Sequence, residues 1–223
     1  SSSFTDDFSL NPVQTSALPA SRIAGRIIAG TNHTCVLATD GTVWCWGDNG
    51  YGSIGVTGGN QAVPVQVSLG ATATMVAAGG FTTCAVLTDN TVQCWGRNHR
   101  GQLGNGTSGT VAVTTPVYTS SVPASFVVAH LEIGSSHSCA ISTAGAAWCW
   151  GDFTDGRLGT TGLSNAVTPS ATASLGSIAS EIAAGATHTC ALLTAGAVTC
   201  FGSNDKGQLG QALATASSST PTL

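Results

Sequence analysis

The sequence predicts an all-β chain, a propeller-type array of four four-stranded antiparallel blades with one cross-strand disulfide in each. Three observations carry this. The eight cysteines fall at 35/45, 84/94, 139/149 and 190/200, and every pair has the same spacing of ten. Each pair flanks a turn sequence, "ATDGT", "LTDNT", "STAGA" or "LTAGA". The pairs recur about every fifty residues within a longer repeated pattern, a period that marks four-stranded propeller blades.

Two cysteines set symmetrically about a turn belong on facing strands. Asp-Gly, Asp-Asn and Ala-Gly supply a residue that tolerates positive φ, and the flanks are apolar or Thr, as strands prefer. Hairpins are therefore expected at 34–46, 83–95, 138–150 and 189–201. In that register Cys35 lies opposite Cys45, Cys84 opposite Cys94, Cys139 opposite Cys149 and Cys190 opposite Cys200, close enough to bond. Zinc knuckles space their cysteines two to four apart, and catalytic thiols come singly or as C-x-x-C, so neither fits four copies of a spacing of ten. Four disulfides imply an oxidising compartment: outside the cell, at its surface, or in the periplasm.

The remaining strands of each unit follow from what surrounds the hairpin. An apolar run precedes each first cysteine: "IIAGTNHTC", "VAAGGFTTC", "LEIGSSHSC" and "IAAGATHTC". A Gly-rich loop follows each second cysteine: "CWGDNGYGSIG", "CWGRNHRGQLG", "CWGDFTDGRLG" and "CFGSNDKGQLG". Pro-led segments, "PVQVSLG" among them, supply an outer strand. Cys35, Leu37, Val43 and Cys45 share one face of the hairpin, while Trp44 and Trp46 point to the other. Apolar residues on both faces call for a neighbouring blade on each side.

The pattern G-x-x-H-x-C-A-L…G-x-V-x-C-W-G-x-N-x-x-G-Q-L-G resembles the regulator of chromosome condensation repeat, with four copies over residues 11–223. The resemblance implies a propeller, seven-bladed in the founding member, which is a nuclear exchange factor for a small GTPase that also binds chromatin. Other members are secreted, and one such group inhibits β-lactamases through the propeller face. Disulfide-bearing repeats resemble secreted bacterial versions. The exchange function does not carry over: its catalytic loops have no match here, and paired disulfides contradict a nuclear home.

Composition excludes several function classes. Only 7% of the 223 residues are charged, against about 25% usually, and the net charge is −4. Six scattered basic residues form no run, so neither nucleic acid nor an anionic membrane is an expected partner. No apolar stretch approaches the roughly 18 residues of a membrane span, and "SSSFTDDFSL" does not read as a signal peptide, as a mature secreted chain would not.

Candidate site residues have mostly structural readings. His33, His137 and His188 stand two residues before the first cysteine of their units, where Thr82 replaces histidine in the second. Equivalent slots in separate blades argue against a metal site and for a ring nitrogen bonded to neighbouring backbone. Trp46, Trp95, Trp150 and Phe201 are expected to pack blade against blade. The Gly-rich loops carry too few acidic groups for calcium and no G-K-[ST], so their glycines serve tight turns. No G-x-S-x-G elbow occurs, and His99 and His130 have no partner in the pattern; the chain reads as non-enzymatic, with no cofactor and no metal. Asn105, in Asn105-Gly106-Thr107, is a candidate glycosylation site.

The ends set the functional expectation. Residues 1–10 form an N-terminal extension to the repeat domain of 11–223. "NPVQTS" matches "TPVYTS", so an outer-strand sequence opens the repeats, while the last unit's outer strand stops at Leu223. Pro12, Val13, Gln14 and Thr15 are then expected to pair with the unpaired edge of the last blade, in the same chain or a neighbouring copy, with Phe4, Phe8 and Leu10 extending the grip. The expected role is a structural or assembly subunit of an extracellular filament or coat, with copies of itself as partner. A soluble protein-binding propeller (an inhibitor or adhesion module) and a fragment of a seven-bladed propeller are the alternatives.

Overall fold

The computed structural model describes residues 14–19, 22–120, 122–123, 125–161, 166–212 and 216–222. Pro12, Val13 and the 1–10 extension with Phe4, Phe8 and Leu10 lie outside the described residues.

Each cysteine hairpin forms where its turn chemistry places it. Gly41, Asn90, Gly145 and Gly196 hold φ of 79°, 64°, 77° and 85° at the same slot of four three-residue loops. The ladder below each turn puts Cys35 opposite Cys45, Cys84 opposite Cys94, Cys139 opposite Cys149 and Cys190 opposite Cys200. All four pairs are bonded.

Sixteen described strands make four antiparallel sheets, each in simple sequence order from inner to outer edge. The first holds β1 (Ala24–Ala29), β2 (His33–Ala38), β3 (Val43–Gly47) and β4 (Gln61–Gln66). The second holds β5 (Ala73–Gly79), β6 (Thr82–Leu87), β7 (Val92–Asn98) and β8 (Gly109–Tyr118). The third holds β9 (Val128–Ile133), β10 (His137–Ser142), β11 (Ala147–Gly151) and β12 (Ser170–Ala171). The fourth holds β13 (Ala179–Ala184), β14 (His188–Leu193), β15 (Val198–Ser203) and β16 (Ser217–Thr222).

The fourth sheet corrects the expected unpaired edge. Ser217–Thr222 pairs with β15, with Thr222 opposite Cys200, as Val65 lies opposite Cys45 and Val117 opposite Cys94. Three of the four outer strands begin before their proline, while the third, Ser170–Ala171, follows Pro169 as expected. Pro64, Pro116 and Pro221 lie within edge strands, where the missing N–H interrupts no inner ladder. The edge assigned to residues 12–15 is therefore occupied by the chain's own C-terminal strand. Gln14 and Thr15 are irregular and lie across the first sheet.

Four blades enclose three cores, and each core is an interface. Cys35, Val43, Cys45 and Ile54 of blade 1 meet Val76, Ala85, Leu87 and Trp95 of blade 2. The second interface joins Cys84, Val86, Cys94 and Leu103 to Leu131, Ala140 and Trp150. The third joins Cys139, Ile141, Cys149 and Leu158 to Ile182, Ala191 and Phe201. The first three disulfides are fully buried in these cores, whereas Cys190 remains half-buried on a face that no blade covers. Graded reduction of the native protein followed by alkylation and peptide mass mapping should open Cys190–Cys200 first. Losing an interior bond, for example by Cys84→Ser, should cost about 2–4 kcal/mol in urea unfolding.

Candidate functional site

Blade 2 is locked to blade 1 through one main-chain carbonyl. The loop after β3 turns at Gly52 and Gly55, with φ of 78° and 76°. Buried Asn49 organises it, its Nδ2 donating to the Val56 and Gly58 carbonyls at 2.8 and 2.9 Å. This presents the Ser53 carbonyl to blade 2, where it accepts from Trp95 Nε1 at 3.0 Å and Thr83 Oγ1 at 2.9 Å. The arrangement recurs. The Gln102 carbonyl accepts from Trp150 Nε1 and Ser138 Oγ, both at 2.9 Å, and the Arg157 carbonyl accepts from Thr189 Oγ1 at 2.9 Å. Phe201 takes the tryptophan slot in blade 4 and has no N–H to give.

A glycine two residues after each carbonyl is the seat of the ring. A Cβ on Gly55 or Gly104 would lie 2.8 Å from the Trp95 or Trp150 indole, and one on Gly159 2.9 Å from Phe201. All three glycines hold positive φ.

The histidines add a second strap between blades 1 and 2 and between blades 3 and 4. His33 Nε2 lies 2.7 Å from Thr83 Oγ1, and His137 Nε2 2.9 Å from Thr189 Oγ1. Each threonine already gives its proton to a loop carbonyl, so each histidine is the donor and carries its proton on Nε2. The partner is thus a hydroxyl of the next blade rather than the neighbouring backbone expected from sequence. The rings lie against Gly30 and Gly134, which leave room for them, and Nδ1 of both meets no partner among the described residues. Burial pushes His33 down to about 4 and His137 to about 3. Thr82 donates within its own blade, to the Arg97 carbonyl at 3.0 Å.

Two faces have no neighbouring blade among the described residues. Ile27 is 68% exposed, whereas its equivalents Val76, Leu131 and Ile182 are at most 2% exposed. Trp46, unlike Trp95, Trp150 and Phe201, is only half-buried. Residues Gln14–Leu18 lie beside it, over a hollow of ≈ 510 Å³ lined also by Ile27 and Val36. At the other end Val198 is 53% exposed, whereas Val43, Val92 and Ala147 are buried, and Gly210 has nothing within 4 Å of its Cβ position.

The loops also bring together a cluster that the sequence reading missed. The Tyr51 and Phe81 ring centroids lie 4.9 Å apart, and the Arg97 guanidinium sits 4.9 Å from the Tyr51 centroid. The three residues come from two blades and occupy no common repeat slot, so periodicity could not reveal them. Asn105 is half-buried, its Oδ1 accepting from Thr107 Oγ1 at 2.8 Å and Asn98 Nδ2 at 3.2 Å.

The repeating lock coincides with matches to the regulator of chromosome condensation (RCC1) repeat at residues 27–53, 73–102, 128–157 and 179–208. A second model of the same repeat matches 89–141 and 144–192. The chain belongs to the RCC1 repeat family. The E3 ubiquitin-protein ligase HERC2 of Homo sapiens and that of Mus musculus are each 30% identical over 173 residues, 76% of this chain and 4% of theirs. Among solved structures, Prp20p from Saccharomyces cerevisiae, studied for binding to Gsp1p and histones, gives a TM-score of 0.84 at 20% identity. That match covers 95% of this chain and 52% of Prp20p. Human WBSCR16 gives 0.81 at 22% identity, over 92% and 54%. The ectodomain of the receptor kinase CR4 from Physcomitrella patens gives 0.55 at 23% identity, over 85% and 45%. These likenesses establish an RCC1-type propeller fold, and the chain spans about half the length of each structure.

Two predictions follow the lock. Trp150→Phe, which the fold already uses at Phe201, should cost about 1 kcal/mol, because Gln102 keeps its Ser138 donor. Gly104→Ala should cost clearly more in urea unfolding, since the methyl meets the indole at a left-handed backbone position.

The histidines set a pH dependence. Unfolded, both take up protons near pH 6.5; folded, they resist until about 4 and 3. Between these values the unfolded state binds more protons, so stability falls as pH falls from 6.5 towards 4. Urea unfolding at pH 7 and pH 4.5 should show a loss on the order of a few kcal/mol. The loss should shrink in the His33→Asn, His137→Asn double variant.

Proposed function

We propose that this RCC1-type propeller is a non-enzymatic, protein-binding assembly subunit of an oxidising extracellular compartment, a filament or coat component that joins copies of itself. The observation carrying this reading is the pair of uncovered blade faces, where Ile27 and Val198 stand in solvent at slots that every interior blade buries. Apolar sheet faces of this kind mark protein contact sites. Four disulfides suit an oxidising compartment, and the low charge suits close approach of like copies. Prp20p, which shares this fold, was studied for binding to Gsp1p and histones, an instance of protein recognition by an RCC1-type propeller. The ligase named in HERC2 belongs to a protein of which this chain matches 4%.

A second reading rests on the Tyr51–Phe81–Arg97 cluster. Aromatic and Arg anchors of this kind dominate protein interfaces, so the loop end would serve a soluble binding propeller. Sedimentation equilibrium in non-reducing buffer decides between them. Under the assembly reading the average mass exceeds that of one chain and rises with concentration. A chain that stays single at every concentration would overturn assembly and leave the loop face as the binding site.

A further inference from the structure

We infer that the two uncovered faces are the two halves of a fourth blade interface, closed when a second copy of this chain docks head-to-tail in the register of the three interior interfaces. This rests on the assembly reading and names its contact.

The blade 1 face, which no blade covers and over part of which Gln14–Leu18 lie, carries the groups that blades 2 to 4 insert into their predecessors. Trp46 holds the slot of Trp95, Trp150 and Phe201; Thr34 that of Thr83, Ser138 and Thr189; Ile27 that of Val76, Leu131 and Ile182. The exposed face of blade 4 carries the groups that blades 1 to 3 offer their successors. Gln208 stands where Ser53, Gln102 and Arg157 present their carbonyls, and buried Asn204 holds its loop as Asn49 holds the first. Gly210 has φ of 69°, matching the 76°, 67° and 67° of Gly55, Gly104 and Gly159. Three of those glycines seat a ring; Gly210 has nothing within 4 Å.

The polar groups match as the surfaces do. Neither Trp46 Nε1 nor Thr34 Oγ1 forms a hydrogen bond among the described residues, and the ring of His188 makes none either. Each interior counterpart with the same polar atom forms one across a blade interface. In the docked pair, Trp46 and Thr34 of the second copy donate to the Gln208 carbonyl, and His188 donates to that same Thr34. Side-chain volumes along β2 are redistributed. Val36 is larger than Ala85, Ala140 and Ala191, while Ala38 is smaller than Leu87 and Leu193, a compensation of the kind packed surfaces tolerate. Because β16 already fills the outer edge of blade 4, this contact joins faces and needs no exchanged strand.

Two exposed-site variants test it. Ile27→Asp spoils only the blade 1 face and Val198→Asp only the blade 4 face, and circular dichroism with disulfide mapping confirms that both are folded. In sedimentation velocity the intact chain should assemble and each variant alone should remain a single chain. An equimolar mixture should give a dimer and nothing larger, because one good face of each kind remains. The docking copy displaces Gln14–Leu18 from beside Trp46, so removing residues 1–16 should leave assembly intact or strengthen it. If the intact chain assembles while either variant alone does so equally, or the mixture stays monomeric, face docking is wrong and the assembly reading stands. Loss of assembly on removing residues 1–16 would likewise overturn face docking in favour of strand exchange. If the intact chain itself never assembles, both fail.

Discussion

A sheet of four short strands with apolar residues on both faces cannot shield itself. Every other feature of this chain is an answer to that constraint. The cysteine side of one blade is covered by the aromatic side of the next, so the cores lie between sheets and number one fewer than the blades. The disulfide holds the two middle strands in the register that presents both faces correctly. It matters most in a chain whose individual sheets cannot bury their apolar faces alone.

Directional bonds add what apolar contact lacks. Apolar faces can slide, but a carbonyl receiving an indole N–H and a hydroxyl from the next blade fixes both height and angle. The glycine beneath the ring lets the surfaces approach to that distance. Where the fourth blade substitutes Phe201, the hydroxyl of Thr189 keeps the carbonyl satisfied and the histidine strap remains.

Much of this is legible in the amino-acid sequence because it is local. The spacing of Cys35 and Cys45 about Asp40-Gly41 determines a hairpin, its register and its bond, and four copies determine the blade series. Longer-range facts were hidden. His33 finds Thr83 fifty residues away, in the next repeat, so its partner cannot be read from its own unit. The last outer strand lacked the sequence expected of it, because its proline, like those of the first two outer strands, sits within the strand rather than at its start. Tyr51, Phe81 and Arg97 meet only because two loops from adjacent blades share one end of the array.

The accepting group of the lock belongs to the main chain, so the side chain at that position is released from the joint. Ser53, Gln102, Arg157 and Gln208 occupy it in turn, differing in size and charge while the carbonyl stays in place. Each satisfies its own side chain locally: Ser53 donates to the Asp48 carbonyl, Gln102 meets His99, and Arg157 pairs with Asp152. Divergence within the repeats is thereby separated from their cohesion. A lineage built this way can alter the chemistry of individual loops by point mutation while successive units go on recognising one another.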